Sequence, residues 1–197
     1  MGKGRLEAFS DGVLAIIITI MVLELKTPSG SNLESLRPLV PLLLSYVLSF
    51  IYVGIYWSNH HHLLAASRNV DGRILWANLH LLFWLSLVPF ITRWMGESHF
   101  AARPVALYGA VLLTAGVAYY ILARALVAHH GKGSTLAKAL GADFKTLASL
   151  ALYAAAIPLA FVEPRLSCAM YALVAILWLI PDRRIERAMS ERANDPA

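Results

Sequence analysis

The sequence of 197 residues is poor in charge and in cysteine. Asp, Glu, Lys and Arg make up 15% of it, against about 25% in an average soluble domain, whereas hydrophobic residues make up 58%. The single cysteine, Cys168, excludes an internal disulfide framework and a metal site built from cysteines. The composition therefore predicts one integral membrane domain rather than a soluble one.

The sequence also lacks the motifs of common enzymes. It has no phosphate-binding loop, no dinucleotide fingerprint and no grouping of nucleophile, base and orienting residue. His60, His61 and His62 suggest a metal site, but consecutive helical residues point about 100° apart, so three adjacent histidines cannot share one face. We therefore expect no catalytic residue, no metal site and no cofactor.

Six apolar stretches predict an all-α membrane bundle of six helices, without broken helices or an internal repeat. The approximate spans are 4–26, 35–62, 73–94, 103–126, 143–162 and 166–182, followed by a charged tail at 183–197. Lys and Arg are concentrated in the segments that share a side with the two termini, which predicts a cell-membrane protein with both termini in the cytoplasm. This bias also accounts for the formal charge of +5, so we expect membrane lipid as a partner and no nucleic acid.

The first span is a poor helix for facing lipid. Its uncharged run, Gly12 to Leu23, is shorter than the roughly 20 residues that cross a hydrocarbon core. Charges within one span length usually face a bundle interior or a water-filled path, and here they are Arg5, Glu7, Asp11 and Glu24. We therefore expect this helix to lie inside the protein, surrounded by the others.

The first helix has two distinct faces when it is drawn with about 100° per residue. Its apolar stripe carries a single hydroxyl group and consists of Ile16, Thr19, Ile20 and Leu23. Ser10 and Asp11 fall on the far side of that stripe. A pore-lining helix requires such a division, because one face meets the ion path while the other packs against neighbouring helices.

The start of the first helix carries the motif R-x3-F-S-D, formed by Arg5, Phe9, Ser10 and Asp11. This motif resembles the transmembrane protein 175 family of potassium channels, in which it opens the first helix of a six-helix unit. The resemblance covers nearly the whole chain. Prokaryotic members carry one such unit and animal members carry two, and this chain has one copy of the motif.

The resemblance implies a homotetramer in which four first helices line a central pore. It places the narrowest apolar points at Ile16 and Leu23, with Thr19 between them, and it implies potassium as the permeant ion. Periodicity alone would favour ordinary packing for this stripe, including Ile20. The chain lacks the T-V-G-Y-G loop of other potassium filters, so selectivity must reside elsewhere and is expected to be modest.

The polar residues near the motif have two interpretations. Ser10 and Asp11 could form a network that ties the first helix to its neighbours, or they could be a helix cap and an interfacial carboxylate. We expect the network, with His60 or His61 and with Asn78 or His80 as partners. Arg5 could pair with an acid or meet lipid phosphate.

Two functional alternatives to a potassium channel stay open at this stage. A proton channel could use Asp11 and the histidines, and because histidine titrates near neutrality a pH switch is also compatible with the sequence. A secondary transporter is a further alternative, although it would call for broken helices or internal pseudo-symmetry.

Overall fold

The computed structural model describes residues 2–67, 69–131 and 144–179. Within these ranges the regular structure is helical: seven α-helices and one short 3-10 helix, Leu33–Leu39. The α-helices are α1 (Lys3–Leu23), α2 (Val40–Ala65), α3 (Gly72–Ser86), α4 (Val88–Glu97), α5 (Ala102–His130), α6 (Phe144–Leu159) and α7 (Pro164–Leu179). This all-α architecture agrees with the prediction from composition.

The helical segments correspond to the six predicted spans, because α3 and α4 lie in one of them. Among the residues that the structure describes, four segments are long and apolar enough to cross a membrane: Lys3–Leu23, Leu33–Ala65, Gly72–Glu97 and Ala102–His130. The remaining two, α6 and α7, are shorter apolar helices that adjoin ranges outside the described residues. The predicted tail at 183–197 also lies outside them.

The second span begins with a change of helix type. The Asn32 side chain accepts a hydrogen bond from the Ser35 backbone N–H at 3.2 Å and caps the 3-10 helix. Pro38 lies inside that helix and Pro41 lies in the first turn of α2. A proline is best accommodated in a first helical turn, where its missing N–H costs no hydrogen bond, so the α-helix begins later than the predicted residue 35.

The third span is interrupted at Leu87, which differs from the expectation of unbroken helices. Asp71 caps α3, because its Oδ1 accepts from the Ile74 backbone N–H at 2.9 Å, and this hydrogen bond lowers the pKa of the Asp71 carboxyl below its ordinary value. At the far end the Leu87 N–H bonds to the Trp84 carbonyl at 3.2 Å, and α4 then begins with Pro89 in its first turn. Proline has no N–H for the preceding turn, which is the physical reason for the interruption.

The core of the chain is held by hydrogen-bonded tyrosines. Tyr52 donates to the Tyr171 carbonyl at 2.6 Å, and Tyr153 donates to the Tyr52 hydroxyl at 3.2 Å. Tyr171 in turn donates to the Val105 carbonyl at 3.1 Å. A Cβ atom at Gly109 would lie 2.1 Å from the Tyr171 hydroxyl, so only glycine permits this approach of α5 to α7. These contacts join α2, α5, α6 and α7 into one body.

The helix α1 lies on the outside of that body and not at its centre. It runs antiparallel to α2, because Lys3 contacts Ala65 and Asp11, further along α1, contacts the earlier residue Trp57, and it runs parallel to α3–α4. One side of α1 is buried against α2, α3 and α4 through Leu6, Ser10, Leu14, Ile17 and Met21. The prediction that the other helices surround it is therefore wrong within a single chain.

Candidate functional site

The predicted apolar stripe of α1 is open on the surface of the chain. Ile16, Ile20 and Leu23 are 57%, 41% and 80% exposed, and Thr19 is exposed between them. The Thr19 hydroxyl donates to the Ile16 carbonyl at 2.9 Å. Because its proton is used inside the helix, the hydroxyl presents oxygen lone pairs outward, and these can accept a hydrogen bond or contact a cation.

Arg5 and Phe9 lie on the same open side of α1. Both are exposed, and spacings of four and seven residues place them in line with Ile16. Within one chain they do not join the polar residues behind the helix. The motif R-x3-F-S-D is thus divided by the helix, since its first two side chains continue the open face and Ser10 points into the bundle.

A buried network of three polar side chains holds the side of α1 that is opposite the open stripe. The Ser10 hydroxyl donates to the Leu6 carbonyl at 2.8 Å and accepts from Asn78 Nδ2 at 2.9 Å. Asn78 Oδ1 lies 2.7 Å from His60 Nε2. Because the amide presents its oxygen to the imidazole, the Nε2 atom of His60 must carry the proton. This network connects α1, α3 and α2 and fixes the rotation of α1 about its own axis.

Asp11 lies beside the network of Ser10, Asn78 and His60 and is not part of it. Its Oδ1 accepts from Trp57 Nε1 at 3.1 Å at an exposed position, and His61 stacks on Trp57 with ring centroids 6.1 Å apart. His80 is also exposed, and its Nε2 accepts from Trp84 Nε1 at 2.9 Å. Of the predicted network residues, the structure therefore brings Ser10, Asn78 and His60 together, while Asp11, His61 and His80 have aromatic partners instead.

An ion-pair cluster at the end of α1 was missed by sequence reasoning. Glu24 bonds to Arg93 of α4, Arg93 Nε lies 3.2 Å from Glu97, and Lys26 Nζ lies 2.7 Å from Glu97. The sequence does indicate one of these ion pairs, because Arg93 and Glu97 are four residues apart and such pairs share one helix face. The cluster joins the end of the open stripe, next to Leu23, to α4.

A groove runs between the open stripe and the third span. Its walls come from α1 on one side and from α3 and α4 on the other: Val13, Ile16, Ile17, Ile20 and Glu24 face Ser86, Pro89, Phe90 and Arg93. The interruption at Leu87 thus lies next to the stripe. Within the described ranges, no group of three His, Cys, Asp or Glu side chains is placed to hold a metal ion.

Comparison with protein families and solved structures identifies the class of molecule. Residues 5–89 match the family described as endosomal/lysosomal potassium channel TMEM175. A crystal structure of a lysosomal potassium-selective channel TMEM175 homologue from Chamaesiphon minutus superimposes with a TM-score of 0.78 at 28% identity, covering 91% of this chain and 97% of that one. The fold is thus that of a channel subunit in this family.

Curated relatives include both potassium and proton channels by name. A protein named potassium channel HX13_20290, from Chryseobacterium sp. (strain P1-3), is 56% identical over 191 residues, which is 97% of this chain and 100% of that protein. Mouse endosomal/lysosomal proton channel TMEM175 is 28% identical over 200 residues, covering 89% of this chain and 40% of the mouse protein. The chain belongs to the TMEM175 family, whose members are ion channels and not enzymes.

Proposed function

We propose that the chain is the subunit of a potassium-permeable channel, a homotetramer in which four copies of α1 surround the ion path. The observation that carries this proposal is the open stripe of α1, which stays exposed although its neighbours Leu14, Ile17 and Met21 are fully packed. The names of the bacterial relatives and of the matching structure support potassium as the permeant ion. We expect no cofactor.

The stripe would make a ring of side chains at each depth of a parallel tetramer. Ile16, Thr19 and Leu23 are three and four residues apart, so their rings would lie about 4.5 Å and about 6 Å apart along the axis. The apolar rings of Ile16 and Leu23 constrict the path and can close it by dewetting. The ring of Thr19 oxygens replaces part of the hydration shell of a passing ion.

The buried network of Ser10, Asn78 and His60 keeps the apolar stripe turned toward the axis in this mechanism. Rotation of α1 by one residue would turn the apolar stripe away from the axis, because neighbouring helical residues point about 100° apart. The bonds between Ser10, Asn78 and His60 oppose such a rotation, because breaking them would leave buried polar groups unpaired. The Glu24–Arg93 pair holds the other end of the same helix.

The protein is proposed to lie in the cell membrane with both termini in the cytoplasm. The distribution of Lys and Arg supports this orientation. Lipid would cover the outward faces of α5, α6 and α7, where large apolar side chains such as Leu107, Leu147 and Leu173 are exposed.

A proton channel is the second candidate function. The vertebrate relatives are named proton channels, and an exposed carboxylate, Asp11, lies within the first span beside His61 and Trp57. A transporter is less well supported: the third span is interrupted at Leu87, but the matching fold is that of a channel subunit.

Recording from the purified protein in planar bilayers tests the proposal. We expect unitary current steps whose reversal potential follows the potassium gradient and stays constant when only the pH of one side is changed. A reversal potential that follows the pH gradient would instead establish the proton channel. Flux without unitary steps would contradict a channel of either kind and indicate a transporter.

A further inference from the structure

The third span has an exposed face rich in aromatic side chains. Trp76, Phe83, Phe90 and Trp94 are between 40% and 73% exposed, and His80 lies among them. Helical spacing places these five residues along one side of α3 and α4, and Phe90, at the edge of this side, also borders the groove next to α1. We call this surface the α3–α4 face; it consists of Trp76, His80, Phe83, Phe90 and Trp94.

A second exposed surface lies on the other side of the open stripe, where α1 meets α2. Asp11 is at its centre and accepts a hydrogen bond from Trp57. Phe50, about two turns before Trp57 in α2, is also exposed. The α1 residues one turn before and after Asp11 are exposed alanines, which leave room for larger side chains. We call this surface the α1–α2 face; it consists of Ala8, Asp11, Ala15, Phe50 and Trp57.

Each face carries an ionisable side chain within a membrane span. Asp11 is in α1 and His80 is in α3, and both are exposed in the single chain. Ionisable residues inside membrane spans almost always face other protein or water, because lipid solvates them poorly. The two faces therefore call for a protein partner.

Asp11 and His80 also lie at the same depth. The 2.9 Å bond from Asn78 Nδ2 to Ser10 Oγ fixes the register of α3 against α1, and the two helices run parallel. Asp11 is one residue beyond Ser10 and His80 is two residues beyond Asn78, which are advances of about 1.5 Å and about 3 Å along the axes. In any parallel ring of copies these side chains would be level with each other.

Their hydrogen-bonding capacities are complementary. The Trp84 indole donates to His80 Nε2, so a neutral His80 carries its proton on Nδ1 and can donate there. The Trp57 indole donates to one oxygen of Asp11, Oδ1, and the carboxylate keeps acceptor capacity on Oδ2. A donor on one face and an acceptor on the other are arranged for contact between copies.

We propose that the α3–α4 face of one subunit packs against the α1–α2 face of the next, with His80 Nδ1 donating to Asp11 of the partner subunit. This inference rests on the tetramer proposed above. The two faces lie on opposite sides of the open stripe, since α4 borders Ile20 and α2 borders Asp11. Such a head-to-tail contact repeats around a ring and closes with the four stripes facing inward.

Thiol cross-linking tests this contact in the full-length chain. Cys168→Ser removes the natural thiol, and the double variant Asp11→Cys/His80→Cys is treated with a short bifunctional thiol reagent, because a disulfide alone requires Cα atoms within about 7 Å. Ala15→Cys/Phe83→Cys is a second pair one turn deeper, which avoids both polar residues. Each single variant and the pair His80→Cys/Leu173→Cys, with Leu173 on the exposed side of α7, are the controls.

The expected result is the loss of most of the monomer band into a ladder of dimer, trimer and tetramer for both test pairs, with no ladder for the controls. A ladder that stops at the dimer would overturn the head-to-tail contact in favour of a two-fold one. Native mass spectrometry on the same samples separates the two proposals. A tetramer that does not cross-link overturns the contact alone and leaves the α3–α4 face to lipid, whereas a monomer overturns the proposed assembly as well.

Discussion

Asn78 on α3 donates a 2.9 Å hydrogen bond to Ser10 on α1, and both side chains are fully buried. Asn78 is central to the network because its other amide atom accepts from His60 on α2. The Asn78 side chain thereby links three helices. Because the Ser10 hydroxyl donates its proton to the Leu6 carbonyl, it can only accept from the Asn78 amide. These hydrogen bonds of Asn78 orient the open apolar stripe of α1.

Asn78→Ala should destabilise the protein more than Ser10→Ala. The first change removes both inter-helix hydrogen bonds of the network, to Ser10 and to His60, whereas Ser10→Ala removes one of them. Each buried polar group left without its partner costs about 1 to 3 kcal/mol. Thermal unfolding in detergent measures the difference. Asn59→Ala is the matched control, because the Asn59 side chain is half-buried and bonds to the Ile55 carbonyl of its own helix. Equal shifts for Asn59→Ala and Asn78→Ala would contradict the linking role.

The helical architecture could be predicted from the sequence because apolar runs of about 20 residues have few other solutions in a membrane. The break at Leu87 was missed although Pro89 was visible, because a proline in a membrane span is compatible with either a kink or a new helix start. The predicted start of α2 is too early for a similar reason, since Pro38 and Pro41 lie at the start of a long uncharged stretch that conceals the change of helix type.

The polar residues show which parts of a site a helical wheel can predict. The wheel separated Ser10 and Asp11 from the apolar stripe, and Ser10 does point into the bundle. It could not separate Ser10 from Asp11, which differ by one residue but bond to different helices. The contact of Glu24 with Arg93 could not be predicted, because the residues are 69 positions apart and only the tertiary fold brings them together, although the spacing of Arg93 and Glu97 by four residues was visible.

Asp11→Ala is expected to impair assembly more than Glu7→Ala. Glu7 is half-exposed and forms an ion pair with Lys3 at 3.6 Å on the same helix, where such pairs contribute about 0.5 kcal/mol or less. Asp11 bonds to another helix and is proposed to contact a second subunit. Native mass spectrometry over a detergent series measures the tetramer fraction. If both variants dissociate at the same detergent concentration, Asp11 has no special role in assembly.

The Glu24–Arg93 pair should contribute little to stability but should be sensitive to salt. Both side chains are partly exposed, and exposed ion pairs contribute about 0 to 1 kcal/mol, which salt screens. Glu24→Gln is therefore expected to lower the unfolding temperature slightly at low salt and not at high salt. Glu34→Gln, in the 3-10 helix, is the control. A large shift that persists at high salt would mean that the pair is buried by assembly.

Ile16→Asn should increase ion leak through the closed channel. Four amides in place of an apolar ring would make the constriction easier to hydrate, and dewetting is what closes an apolar constriction. Ile16→Val is the conservative control, since it keeps the ring apolar and should leave the closed-state current low. Channel open probability in bilayers is the measurement. Unchanged currents in Ile16→Asn would show that Ile16 does not line the narrow part of the path.

Thr19→Val should lower the preference for potassium over sodium while assembly is retained. The two side chains have nearly the same shape, but valine lacks the oxygen that Thr19 turns outward after donating to the Ile16 carbonyl. Loss of a contact worth about 1 kcal/mol corresponds to roughly a fivefold fall in the permeability ratio. Bi-ionic reversal potentials measure that ratio directly.

Two further variants separate the hydroxyl of Thr19 from its shape. Thr19→Ser keeps the oxygen and should retain most of the preference for potassium. Thr114→Val removes a hydroxyl that also bonds to its own helix, but on α5, away from the stripe, and should leave the ratio unchanged. If Thr19→Val leaves the reversal potential unchanged while Ile16→Asn shifts it, selectivity resides in the apolar constriction, because the ring that controls entry is then also the ring that discriminates between the ions.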